Sequence, residues 1–112
     1  MKDLPILQKT YDFIQWYIPI LERLPRTHKY TLGDRIINQL YTLFEELIKA
    51  QFSKQKSAIL IPLNTCLTIL RYQSRLLLDF NLIDVQRYEN IIRYIDSIGK
   101  DLGGWINQQK SV

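Results

Sequence analysis

The chain has 112 residues, 46% of them hydrophobic and 23% charged, with a formal net charge of +4. That length holds one domain core, and only four glycines and four prolines exclude a disordered or low-complexity chain. Cys66 is the only cysteine and His28 the only histidine, which excludes a disulfide framework and any Cys/His metal site, and no apolar run approaches the roughly 18 residues of a membrane span.

Met1-Lys2-Asp3 lacks the basic start and apolar stretch of a signal peptide, so the expectation is a cytoplasmic protein that is one domain over residues 1–112. Breakers divide the chain into four stretches of about 20 to 25 residues, each with apolar spacings of three and four. The first opens at Asp3, a favourable N-cap with Leu4 and Pro5 in the first turn, and closes near Leu24-Pro25. Leu7, Tyr11, Ile14, Ile18 and Leu21 form its expected inner stripe, while Ile6, Phe13, Trp16 and Ile20 fall outside it. Pro19 shares a face with Gln8, Asp12, Gln15 and Glu22, where water can satisfy the carbonyl it leaves without a donor, so a kink is predicted there and not a stop.

Thr31-Leu-Gly-Asp34 has the form of a capping box and predicts a second helix from there to about Phe52. Ile36, Leu40, Leu43, Leu47 and Ile48 face inward, with Arg35, Asn38, Gln39, Thr42, Glu45, Glu46 and Lys49 opposite. A polar link, residues 53–57, leads to a third helix over 57–80 with Pro62 in its early turns. Asn81-Leu-Ile-Asp84 supplies a turn and a new cap, after which Val85, Tyr88, Ile91, Ile92, Ile95, Ile98, Leu102 and Trp105 follow in helical register. Short links make neighbours antiparallel, so the predicted fold is all-α, an up-down-up-down antiparallel four-helix bundle.

The third helix has two apolar stripes. Ile59, Leu63, Cys66, Leu70 and Leu77 suit the core; Ile61, Ile69, Tyr72, Leu76 and Phe80 need another cover. A homo-oligomer interface drawn from Ile61, Ile69, Tyr72 and Leu76, with Phe13 and Trp16 of the first helix, is one resolution. A wide, covered core face is the other.

The charge is concentrated too. Between Leu47 and Leu78 there is no acid, while Lys49, Lys54, Lys56, Arg71 and Arg75 fall there. Asn64, Thr68, Arg71 and Arg75 line one helical face, so paired guanidinium groups could hold the phosphates of a polyanion, although a solvated face has the same pattern. A second cationic group, Arg23, Arg26, His28, Lys29 and Arg35, surrounds the first connection. No aromatic platform is interleaved with these cations in this reading, so phosphate contacts with little base preference are expected. His28 is read as a surface residue and Cys66 as a small core residue; the carboxylates form no catalytic or di-metal pair. No catalytic residue, cofactor or metal site is expected. Gly99 and Gly103-Gly104 suggest a close helix approach or a loosened helix end.

The run Phe13-Ile-Gln-Trp16-Tyr-Ile-Pro19-Ile-Leu-Glu-Arg-Leu-Pro25-Arg26, with Lys29-Tyr30-Thr-Leu32-Gly33-Asp34-Arg35, Leu47-Ile-Lys-Ala50, Leu70-Arg71, Ile98-Gly99 and Leu102-Gly103-Gly104-Trp105, resembles the Avd-like four-helix-bundle family. These are accessory variability determinants of diversity-generating retroelements, related to bundle proteins of 23S rRNA intervening sequences. The resemblance implies a non-catalytic homo-oligomer, typically a pentamer, that binds the element's reverse transcriptase and its template RNA, and DNA as a further ligand, to support mutagenic reverse transcription. It places Arg71 and Arg75 at the family's basic positions for nucleic acid and polymerase; it does not extend to Lys54 and Lys56. The family also contains intervening-sequence bundles with no reverse-transcriptase partner, which is the alternative.

Overall fold

The computed structural model describes residues 4–110, and within them the chain forms helices and turns without a strand. The first rod is α1 (Pro5–Glu22). The second is composite: α2 (Arg26–His28), a π-helical turn (Lys29–Gly33) and α3 (Asp34–Phe52) follow one another without a break. The third comprises α4 (Lys56–Leu60) and α5 (Leu63–Asp79), and the fourth is α6 (Val85–Lys110). Both α1 and α5 pack on α3 and on α6, so the rods stand in a square with α1 diagonal to α5. This is the all-α bundle that the periodicity predicts.

Prolines set the rod boundaries because their φ is pre-set for a helix start and they have no N–H to leave unpaired. Pro5 opens α1 behind an extended Leu4; the expected cap, Asp3, lies outside the described residues. Pro25 does the same for the second rod, which therefore begins at Arg26 and not at Thr31. The capping box is thus a misreading, for Thr31 Oγ1 donates back to the Thr27 carbonyl at 3.1 Å inside the rod. Pro19 is exposed and α1 runs on past it, as its place on the wet face predicts. Pro62 instead splits the third rod with a turn between α4 and α5. Asn81, at a φ of 60°, ends α5 in the left-handed region, and Asp84 Oδ1 accepts the Arg87 N–H at 2.8 Å as the predicted cap of α6.

Each rod buries one stripe. Leu40, Leu43 and Leu47 of α3, Leu63, Cys66, Leu70 and Leu77 of α5, and Ile91, Ile95, Ile98 and Leu102 of α6 meet in the centre. On α1 the buried stripe is Ile6, Leu7, Thr10, Phe13, Tyr17 and Leu21, rotated from the predicted one, and Tyr11 is exposed. Phe13 is 0% exposed, stacked on Tyr94 with centroids 4.9 Å apart, so it belongs to the monomer core and its expected place in an oligomer interface is corrected. Trp16 is half-buried beside the same Tyr94. The rotation places a threonine inside, tolerated because Thr10 Oγ1 donates to the Ile6 carbonyl at 2.8 Å. Ile48, expected inside, is exposed. Neither reading of the glycine pair holds: α6 continues to Lys110, and a Cβ at Gly103 or Gly104 would meet nothing within 4 Å. No contact among the described residues explains them.

Across the diagonal, the Tyr17 hydroxyl and Ser74 Oγ share a hydrogen bond of 2.8 Å in full burial. Each is the other's partner where water cannot reach. Tyr17→Phe strands the serine and Ser74→Ala strands the phenol, so each should cost about 1–3 kcal/mol, and the double variant less than their sum. Urea denaturation of the four proteins measures this. Burial raises the Tyr17 hydroxyl well above its ordinary value of 10.0, against a smaller lowering by the Ser74 bond. Its neutral form is therefore favoured by folding; stability should fall as pH climbs past that ordinary value, and Tyr17→Phe should flatten the fall.

Candidate functional site

The polar face of α5 carries two arginines, Arg71 and Arg75. Arg71 forms an ion pair with Asp96 of α6, and Arg75 Nε donates to both oxygens of Asp79 at 3.0 and 3.3 Å. The hydrogen bond from Arg75 to Asp79, its Coulombic partner as well, holds the guanidinium above its ordinary value. Lys49 lies 3.5 Å from Glu46. The acid-free window in the sequence is therefore not acid-free in space, because the flanking Glu46 and Asp79 and the more distant Asp96 of α6 pair with its cations. Lys56 is half-buried and already engaged: its Nζ donates to the carbonyls of Ala50, Gln51 and Ser53 at 3.1, 3.0 and 2.8 Å, closing the C-terminus of α3. Its expected place in a binding patch is corrected accordingly. Lys54 stays exposed and joins no ion pair among the described residues.

The other cationic group has a different character. Arg23, Arg26 and Arg35 are exposed, and among the described residues none of them forms an ion pair. Lys29 is half-buried, with its Nζ 5.5 Å from the Tyr30 ring centroid. The π-turn that carries Lys29 and Tyr30 closes over Gly33, where a Cβ would stand 3.3 Å from both the His28 carbonyl oxygen and Leu24 Cδ1. A side chain there would push against α1's C-terminal segment. The rings of His28 and Phe80 stack at 5.5 Å, which brings the end of α5 to the same end of the bundle. Tyr30 stands exposed beside these cations, and Tyr72 beside Arg71 and Arg75. The sequence predicts no aromatic platform among the cations; the structure shows an exposed ring in each of the two basic segments.

Two apolar faces complete the surface. The second stripe of the third rod is exposed along its length, from 39% at Ile69 to 71% at Tyr72, with Ile61, Leu76 and Phe80 between those values. A second face, unforeseen, lies in the groove of about 390 Å³ lined by Leu7, Gln8 and Tyr11 of α1 and Phe44, Ile48 and Gln51 of α3, with exposed Tyr41 and Phe52 nearby on the second rod. Its signal was present in the spacing of Tyr41, Phe44, Ile48 and Phe52, which recurs at three and four residues like any helical stripe. Asn38, Glu45 and Lys49, all exposed, form the polar ridge between the two faces.

Cys66 is buried; burial raises its thiol above the ordinary value, against a smaller lowering by the bond that Gln39 Nε2 donates at 2.9 Å. Among the described residues no three His, Cys, Asp or Glu side chains are grouped to hold a metal ion, and no helix is long and apolar enough to cross a membrane.

Compared with known families, residues 4–109 match the model of the family described as bAvd-like. No curated protein matches the chain.

If carboxylate pairing limits what Arg71 and Arg75 offer an anion, Asp79→Asn with Asp96→Asn should make the protein elute from a heparin column at higher salt than the parent. The comparison is an equal change of charge remote from the arginines, Asp12→Asn with Glu45→Gln. Equal shifts for the two double variants would mean that only net charge matters.

Proposed function

The chain belongs to the bAvd-like family, and on that premise we propose that it is an accessory protein of a diversity-generating retroelement: a cytoplasmic, non-catalytic, oligomeric scaffold that binds the reverse transcriptase and template RNA during mutagenic reverse transcription. The observation that carries this reading is the extent of the match, which takes in all four rods. Assembly is supported by the two exposed apolar faces. One lies in the α1–α3 groove and the other runs along the third rod, where Ile69 borders α3, so a contact between one face and the other on the next copy is heterologous and can close into a ring. A single self-complementary patch would instead suit a two-fold dimer. We assign Ile61, Ile69, Tyr72 and Leu76 to one side of that contact and Tyr11, Ile48 and Phe52 to the other, with five copies as the stoichiometry.

A ring repeats every cation. Unpaired Arg26 and Arg35, with Lys29 and Lys54, provide the anion-binding surface without prior rearrangement, whereas Arg71 and Arg75 exchange their carboxylates for phosphate or for an acidic polymerase surface. Exposed ion pairs contribute little, of the order of 0–1 kcal/mol each, so the exchange is inexpensive.

Three measurements test the reading. Light scattering should give about five times the 13.4 kDa chain mass; a monomer would remove the interface argument. Ile69→Asp with Leu76→Asp should dissociate the assembly with helicity retained, because both residues are already exposed in the single chain. Arg71→Ala with Arg75→Ala should weaken RNA and reverse-transcriptase binding and reduce the salt slope by roughly 0.7–0.9 for each phosphate that is no longer neutralised. Neighbouring DNA without a reverse-transcriptase frame would favour the intervening-sequence type of bundle instead.

A further inference from the structure

We propose that the Pro25 end of the bundle is a site for single-stranded polynucleotide, in which Tyr30 stacks on an unpaired base while Arg26 and Arg35 hold the flanking phosphates. The proposal rests on the nucleic-acid reading above and adds to it a location and a class of strand.

The local backbone carries the argument. Arg26 precedes Tyr30 by four residues, about one turn of α-helix; Arg35 follows it by five, and the intervening Lys29–Gly33 segment is a π-turn, whose hydrogen bonds span five residues and which is wider than an α-turn. A regular α-helix would swing Arg35 well round the rod from the other two. The wider π-turn brings Arg35 less far round, and all three side chains are exposed, with one arginine before the ring and one after it. Such turns are rare and recur at functional sites. Gly33 lies within this one, where an added Cβ would stand 3.3 Å from the His28 carbonyl oxygen and from Leu24 Cδ1.

The side chains are free to act. Tyr30 is 61% exposed, and among the described residues its one ring contact is the Lys29 ammonium 5.5 Å from its centroid. Neither Arg26 nor Arg35 forms an ion pair among the described residues, in contrast to Arg71 and Arg75. Of the acids at this end, Asp84 accepts the Arg87 N–H as the cap of α6; Glu22 and Asp34 are exposed and form no ion pair among the described residues. A phosphate therefore meets these guanidinium groups without displacing a carboxylate.

Ring chemistry then selects the strand. In a duplex the base faces are already stacked, whereas an unpaired base presents its π-face to an aromatic side chain. Tyr30 thus discriminates single strand from duplex, and the arginines, which contact only phosphate, do not.

Fluorescence anisotropy on the intact protein tests this with a short oligoribonucleotide, its deoxy counterpart and a blunt duplex. Tyr30→Ala should weaken both single strands by roughly 5- to 150-fold, the range for loss of one base–aromatic stack, with the duplex affinity and the salt slope unchanged. Tyr30→Phe should bind like the parent, and an oligonucleotide carrying 2-aminopurine should be quenched by the parent but not by Tyr30→Ala. Arg26→Ala with Arg35→Ala should weaken all three ligands and flatten the slope. Unaltered single-strand binding by Tyr30→Ala, or an equal loss on single strand and duplex, would overturn the stacking site and leave the scaffold reading in place. A parent protein that binds none of the three ligands would overturn both.

Discussion

A square of four antiparallel rods gives each helix one buried stripe and no more. The rest of this molecule follows from that constraint. The centre admits about a third of each helical circumference, so the first rod had to choose between two sets of apolar residues. It buries Phe13 and Tyr17 and leaves Tyr11 outside, because Phe13 finds Tyr94 to stack on and the Tyr17 hydroxyl finds Ser74 across the diagonal. That bond joins two rods that otherwise make little contact, and it leaves no buried phenol or serine without a partner. Apolar residues beyond the permitted stripe must lie on the surface. The exposed rows on α5 and in the α1–α3 groove are the consequence, and they make association with another surface favourable.

Electrostatics shows the same difference between order along the chain and order in space. A stretch of thirty-odd residues without an acid looks strongly basic when written out, yet antiparallel folding lays Asp96 beside Arg71, and the next helical turn brings Asp79 to Arg75. Lys56 turns inward to three carbonyls of a helix end. The cations left most available belong to the first connection, where Pro25 and the π-turn hold them at one end of the bundle. A basic surface here is defined less by how many cations occur than by how many lack a local carboxylate or carbonyl.

The two features would meet in the proposed assembly. Heterologous contact through the apolar faces would align the unpaired cations of successive copies, so that affinity for a long polyanion grows with the number of subunits engaged, while each single contact stays weak and reversible. The paired arginines of α5 suit a surface that must release as well as bind, since their carboxylates are ready to return. No part of this arrangement requires a nucleophile, and the one cysteine is withdrawn into the core with its thiol form favoured.

The sequence by itself determined the number of rods, their approximate ends and the exposed second stripe of the third rod, because helical periodicity, proline and the Asn81–Asp84 cap act within a few residues of one another. It also carried the family resemblance, in motifs spread over the chain. Only tertiary structure decided which stripe of α1 turns inward, since Tyr11 and Phe13 satisfy the same periodicity and the choice depends on Tyr94 and Ser74, more than fifty residues away. It likewise decided which cations are free, because the partner of Arg71 lies on another rod. The π-turn was hidden for a related reason: Thr31 and Asp34 have the spacing of a cap, and only the bonds that the Pro25 carbonyl accepts from the His28 and Lys29 N–H groups show that the helix had already begun at Arg26.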